Sequence, residues 1–284
     1  MSETETPVPA SVDDLPVLIV TRFSFLGQSG WKSEASRDGA LLFEPARLEQ
    51  RLALFESINL ASLTAQTEQG FHHYILTSDQ LPSWALSRLE AICLEAYGTQ
   101  DRFTIDRRAP GRARKYLRQF MARFAGGPSL VQVVLDDDDG LAACYMQTLR
   151  ATLRDMQAED PALLDKLPKY VSFPTGYALS LRDGAQARLY LHSYPYINLG
   201  LALIDGTGGK NILAINHQDA PKRFGCRMVR GQPMFLRAVH DFNDSRVAPH
   251  RKWQEIADWP QDAALQSRFP GLFRAGAPWA ADAG

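Results

Sequence analysis

Four consecutive aspartates, Asp136 to Asp139, close the apolar run Leu130–Leu135 in the stretch SLVQVVLDDDDGLAACYM. Adjacent carboxylates repel one another, so a row of them at the end of a buried strand calls for a counter-charge. A hard divalent cation, Mg²⁺ or Mn²⁺, is one, because it takes carboxylate oxygens as ligands. Alternate residues of an extended chain point to the same side. Asp136 and Asp138 are therefore the expected metal pair. Asp137 and Asp139 then face a ribose hydroxyl or a backbone amide, although they form an equally spaced pair and leave the register open.

Competing readings of the row are weaker. A solvated acidic turn ending in Asp139-Gly140 is the plain structural alternative, but such runs seldom cap a six-residue apolar strand. An EF-hand lacks its glutamate at loop position 12 and its helix-loop-helix context. A phosphatase nucleophile would follow the first strand, whereas this row follows the fourth. Nucleotide-sugar glycosyl transfer fits best, because a nucleoside diphosphate is a poor leaving group until its charge is neutralised.

The elements that must position the row are legible in the pattern. LPVLIVTRF (15–23) is a first strand and GFHHYILTSD a second. Between them RLEQRLALFESINLASLTAQT is helical, with Leu48, Leu52, Phe55 and Ile58 on one face. Pro82 opens another helix that stops at Gly98. RFTID is a short third strand, GRARKYLRQFMARFAGG a basic helix and LVQVVL the fourth strand, with a helix carrying Met146, Leu149, Leu153 and Met156 after the aspartates. Alternation of this kind predicts an α/β fold with a mostly parallel, Rossmann-like sheet flanked by helices. In open sheets of that kind ligands bind beyond the carboxyl ends of the strands, where the aspartates stand. From about residue 161 the chain turns to short β-rich segments, read as mixed or antiparallel strands beside the parallel sheet, followed by one or two short helices. The expected organisation is an acidic, disordered tail over 1–15, a nucleotide-sugar-binding α/β half over 16–160, and an acceptor-side β-rich half over 161–284 of the same domain.

Composition narrows the class. The chain has 284 residues, is 45% hydrophobic and carries a net charge of −1, so it holds a real core and has no global attraction to nucleic acid. No apolar run is long enough to span a bilayer, and the start lacks the marks of a signal peptide. Three scattered cysteines, Cys93, Cys144 and Cys226, fit reduced thiols in a cytoplasmic protein. Contact with the inner membrane would be peripheral and would follow from a lipid-borne acceptor; no amphipathic basic helix in the sequence is strong enough to predict it.

Four segments together, TRFSFLG, RLALFESINLASLTAQTEQGFHHYILTSDQLP, LDDDDGL and FLRAVHDFNDSR, resemble the bacterial putative rhamnosyltransferase family of the GT-A glycosyltransferase class. The resemblance spans nearly the whole chain after the tail. It implies a GT-A-like fold, a nucleoside-diphosphate-sugar donor, a divalent metal, and transfer to a glycan or glycoconjugate acceptor. It places the metal on Asp136 and Asp138, with His240 as third ligand, since a histidine near the C-terminus returns to the metal in GT-A sites. It also sets Arg22 and Ser24, after the first strand, beside the base and ribose.

Other donor contacts are read from position. Asp79 can accept from a pyrimidine N–H or simply form an Asx-turn before Pro82. Arg112 and Lys115, at the start of the basic helix, lie on the aspartates' side of the sheet and reach toward the diphosphate. The remaining basic residues there read as a solvated face, and nucleic-acid binding is disfavoured because the chain as a whole is net acidic. His217 and Asp244 are candidates for the base that takes the acceptor's proton. Tyr194 and Tyr196 either stack on an acceptor sugar or pack the core, and packing is the expectation. The expected activity is a metal-dependent glycosyltransferase, inverting if the donor is a β-L-rhamnose nucleotide. Its rivals are a metal-dependent phosphohydrolase or nucleotidyltransferase using the same carboxylates, and a non-catalytic nucleotide-sugar-binding protein.

Overall fold

The structure is a computed structural model, and it describes residues 11–28, 38–124, 129–182, 186–206, 210–219, 223–241, 243, 253–274, 277 and 279. The first part alternates as the pattern predicts. Strand β1 (Val17–Arg22) and a two-residue β2 (Gly27–Gln28) precede helices α1 (Gly39–Leu42), α2 (Pro45–Leu54) and α3 (Ala61–Thr64). Then come β3 (His72–Ser78), α4 (Ser83–Tyr97), β4 (Phe103–Arg108), a short β5 (Gly111–Arg112), α5 (Ala113–Phe124), β6 (Ser129–Val134), β7 (Gly140–Leu141) and α6 (Tyr145–Glu159). The later strands are β8 (Lys169–Ser172), β9 (Thr175–Ser180), β10 (Arg188–Ser193), β11 (Ala202–Gly206), β12 (Cys226–Met228), β13 (Phe235–Val239) and β14 (Gln254–Glu255), with α7 (Ala263–Arg268) near the end.

Seven strands make the main sheet, in the order β12-β8-β11-β6-β1-β3-β4. β6, β1, β3 and β4 pair in parallel, and β11 runs against both β6 and β8. β1 and β6 are buried along their whole length. That is why they read as continuous apolar runs rather than alternations: helices cover both faces of a parallel sheet. Of the β-rich later segments, β8, β11 and β12 extend this same sheet. The others form a second mixed sheet, β14-β10-β9-β13-β7, in which β13 pairs with β7 just after the aspartates. This pairing brings the C-terminal segment back to the aspartate row.

The helix over 45–64 departs from the simple periodic reading. Glu44 caps it by accepting from the backbone N–H groups of Ala46 and Arg47, and Pro45 occupies its first turn. Between α2 and α3 the chain opens into a π-helical stretch, Phe55–Leu60, a feature frequent at functional sites. Leu48, Leu52, Phe55 and Ile58 are all buried as the spacing predicts, but so are Arg47, Arg51 and Asn59.

A buried polar chain ties the strand ends together. Tyr97 Oη lies 2.9 Å from His73 Nδ1, and His73 Nε2 lies 2.8 Å from Thr21 Oγ1. The Thr21 hydroxyl donates onward to the carbonyl of Leu135 (2.8 Å), so it must accept from His73 Nε2–H. His73 is therefore neutral, with its proton on Nε2 and its Nδ1 accepting from Tyr97. Burial lowers its pKa to about 3, and the neighbouring His72 adds to the effect. The unfolded chain takes up a proton below about pH 6.5 that the folded chain refuses, so stability is present above that pH and is lost on acidification. Between pH 7 and pH 5 this one group is expected to remove about 2 kcal/mol. Urea denaturation at the two pH values checks this, and a His73→Gln variant should show a correspondingly flatter dependence.

Candidate functional site

The aspartates form a tight turn at the carboxyl edge of the sheet. Leu135 N still donates to Val20 O (3.1 Å), and the turn closes with Asp139 N donating to Asp136 O (3.1 Å). Gly140 then starts β7 against the π-helical stretch. A Cβ there would lie 3.0 Å from Ile58 Cγ2 and 3.3 Å from the Ile58 carbonyl oxygen, so glycine is needed for close approach. Asn59 Nδ2 donates to the Asp136 carbonyl (3.0 Å) and fixes the turn to the same helix.

The side chains divide by what they meet. Asp136, with 27% of its side chain exposed, accepts from Arg22 Nη2 at 2.6 Å. Asp137 is fully buried and accepts two hydrogen bonds from Arg51, one from Nε at 3.0 Å and one from Nη2. The third nitrogen of Arg51, Nη1, reaches Asp138 Oδ2 at 3.3 Å. That same oxygen meets His240 Nε2 at 2.9 Å and Asn243 Nδ2 at 3.0 Å. Asp139 Oδ1 accepts from the backbone N–H of Ala238 at 3.1 Å. The four carboxylates thus meet different sets of partners, with Arg51 shared between Asp137 and Asp138, and only the first is open to solvent to any extent.

Two neighbours titrate in opposite directions. Burial pushes the Asp138 carboxyl up, but the Arg51 charge and the His240 hydrogen bond outweigh it and hold the group well below the usual carboxylate range. Burial and the Asp138 charge push Asp139 well above that range, against the pull of Arg237 and Ala238 N–H. The row therefore presents a firmly ionised Asp138 beside an Asp139 that favours its neutral form.

The fit of a divalent cation can be judged from these donors. Asp138 Oδ2 and His240 Nε2 are 2.9 Å apart. Two adjacent ligands at about 2.1 Å on an octahedral ion stand about 3 Å from each other, so this pair fits one. That 2.9 Å contact is a hydrogen bond in which Nε2–H donates to Asp138; a cation bound by both would replace it and shift the ring proton to Nδ1, a buried nitrogen without a hydrogen-bond partner among the described residues. Asp136 is turned to Arg22 instead, and among the described residues no three His, Cys, Asp or Glu side chains are grouped to hold a metal. A cation here has two protein donors, and Mg²⁺ commonly fills its remaining positions with water and substrate phosphates.

The other expected residues fall as follows. Ser24 is buried with its backbone at a left-handed φ of 42°, and its hydroxyl has no hydrogen-bond partner among the described residues. An unsatisfied hydroxyl in a strained backbone, two residues after Arg22, suits a ligand contact. Asp79 is exposed, within a turn in which Ser78 Oγ accepts from Gln80 N at 3.1 Å. Arg112 is exposed and bonds Gln28 Oε1 at 3.1 Å, and Lys115 is exposed on α5. His217 Nδ1 lies 2.5 Å from the Tyr196 carbonyl oxygen, which only accepts; the proton is therefore on Nδ1 and Nε2 carries the lone pair. Tyr196 itself has a left-handed φ of 59°. The segment leading into β11 sits at the aspartates' edge of the sheet, since Gly200 N donates to Val134 O at 2.8 Å. Tyr194 is 42% exposed and stacks at 7° on His192. Asp244 lies outside the described residues.

Arg51 and Asn59 complete the site without having been singled out by type or motif. The signal for Arg51 was its phase: it stands four and seven residues before Phe55 and Ile58, on the apolar stripe of its helix. A cation on such a stripe needs a buried anion.

The profile of the family described as "Putative rhamnosyl transferase" matches residues 16–252. No curated protein matches the sequence. Among solved structures, a putative nucleotide-diphospho-sugar transferase from Desulfovibrio desulfuricans is 9% identical, with 79% of this chain and 81% of that one covered and a TM-score of 0.33. HddC from Yersinia pseudotuberculosis is 9% identical over 80% and 90%, with a TM-score of 0.36. A putative glucose-1-phosphate thymidylyltransferase from Bacillus anthracis is 13% identical over 78% and 88%, with a TM-score of 0.33. Overlaps this loose say nothing of activity.

The Arg51–Asp137 pair is open to a direct test. Arg51→Met leaves a fully buried carboxylate without its guanidinium and should cost about 3–5 kcal/mol of stability. Arg51→Met combined with Asp137→Leu should recover only part of that loss, because the Asp137 charge is gone but Asp138 still lacks the guanidinium. Urea unfolding midpoints of the single and double variants measure both effects.

Proposed function

The chain belongs to the family described as "Putative rhamnosyl transferase", and from that premise we propose that it transfers a sugar, rhamnose in the simplest case, from a nucleoside-diphosphate donor to a glycan or glycoconjugate acceptor. The observation that carries this reading is the aspartate turn, set at the ligand edge of a mostly parallel sheet with Asp138 held ionised beside His240. A turn that spent all its carboxylates on internal bonds would be structural; here Asp136 stays partly open next to Arg22.

In this proposal the donor diphosphate lies over the turn. Asp138 and His240 would hold a divalent cation, Mn²⁺ or Mg²⁺, which would supply the positive charge that makes a nucleoside diphosphate a good leaving group. Arg22 sits between the open carboxylate and the strand-one loop, where its guanidinium can also meet phosphate. Ser24 offers its unpaired hydroxyl to the nucleoside. His217, with its proton fixed on Nδ1 by the Tyr196 carbonyl, presents Nε2 to the acceptor hydroxyl and takes its proton as the new glycosidic bond forms. Tyr194 gives the acceptor ring a partly exposed aromatic face. Attack from the side opposite the leaving diphosphate inverts the anomeric centre.

Incubation with Mn²⁺ and a panel of nucleotide sugars is expected to release nucleoside diphosphate with one donor. Release of nucleoside monophosphate or pyrophosphate instead would identify a hydrolase or nucleotidyltransferase, and the absence of both turnover and binding across the panel would overturn the enzyme reading. With the active donor, Asp138→Asn should lower turnover by about 10²-fold or more, and chelation of the metal should abolish it reversibly. His217→Gln is expected to cost roughly 10²–10⁴-fold in kcat while leaving donor binding in place.

A further inference from the structure

The basic helix carries a feature that the transfer reaction does not use. Between Arg107 and Arg123 the sequence places seven arginines and lysines and no acid. With the whole chain at a net charge of −1, the remainder is net negative, so the charge of the molecule is strongly lopsided.

α5 turns its apolar side inward. Ala113, Leu117 and Met121 are buried, and its aromatics point the same way: Phe120 packs on Tyr74 at 4.4 Å between ring centres and Phe124 on His72 at 4.9 Å. The opposite side is made of Arg114, Lys115, Arg118, Gln119, Ala122 and Arg123, all exposed. None of the four cations there is in an ion pair among the described residues.

The helix itself disfavours this arrangement. Arg114 and Lys115 stand in the first turn, where the helix dipole favours acids. Arg114 and Arg118 are like charges one turn apart, which repel. Among the described residues no acid relieves either cost, and an external polyanion relieves both. The face lacks the exposed aromatics on which nucleic-acid bases stack and the apolar anchor that a protein partner would bury. Exposed cations spread over the outer half of a helix, without apolar demand, suit a surface of phosphates.

We propose that the solvent face of α5 docks the protein on an anionic lipid surface, by charge and without insertion. This is independent of the transferred sugar. It also sets the orientation of the site: β5, which leads into α5, pairs with β2, five residues after Arg22, so the helix start and the strand-one loop share one edge. An acceptor carried in the same bilayer would be presented along that edge.

Co-sedimentation of the full chain with vesicles tests the proposal. Binding is expected to vesicles of about one third phosphatidylglycerol in phosphatidylcholine, not to phosphatidylcholine alone, and to weaken steeply as salt rises above about 0.1 M. Arg114→Gln, Arg118→Gln and Arg123→Gln together should weaken it roughly tenfold or more. A control triple on other surfaces, Arg88→Gln, Arg154→Gln and Lys166→Gln, should leave it largely intact. No binding to anionic vesicles, equal loss in both triples, or tighter binding to a single-stranded oligonucleotide than to the vesicles would overturn it. Circular dichroism checks that both triples fold, and the salt dependence of the unaltered protein stands as a second measure should either fail.

Discussion

One constraint organises this molecule: four carboxylates must sit side by side at the end of a buried strand. Each needs its own counter-charge or donor, and no two can share the same one without cost. Arg51 meets most of that demand. It is buried in a helix, gives Asp137 two hydrogen bonds and reaches Asp138 with its remaining nitrogen. A planar guanidinium can serve two carboxylates in this way where an ammonium could not. Arg22, the N–H of Ala238, His240 and Asn243 serve the rest from two other segments of the chain.

The surrounding architecture follows from that requirement. The π-helical stretch between α2 and α3 lies where Asn59 binds the turn's carbonyl and where Gly140 lets β7 come close. The pairing of β7 with β13 delivers Ala238, His240 and Asn243 to the aspartates. The chain from Tyr97 through His73 and Thr21 to the Leu135 carbonyl fixes the backbone immediately before Asp136. Polar groups buried in this way are costly unless every partner is in place, so the network specifies one arrangement of the turn.

The result is a graded set of carboxylates. Asp137 is internal and serves the fold. Asp138 is held ionised and meets the histidine, whereas Asp139 is driven toward its neutral form. Asp136 keeps an open side next to Arg22. Four identical residues thus acquire four environments, and the differences come from burial and from neighbours distant in sequence.

The sequence by itself determined the alternation of strands and helices, because a parallel sheet buried on both faces leaves continuous apolar runs and its helices leave a 3.6-residue period. It also placed the aspartates at the ligand edge and picked His240 as their histidine neighbour from the C-terminal segment's resemblance to a known family. It did not show that Arg51 crosses the core to Asp137, since that contact joins residues 86 positions apart and no local pattern encodes it. Nor did it show that Asp137 faces inward while Asp136 turns to Arg22, because alternation ends where the strand becomes a turn. The basic helix was split by reading its charges one by one. Only packing, which turns Phe120 and Phe124 of α5 toward the sheet, shows that Lys115 stands with Arg114, Arg118 and Arg123 on its exposed side.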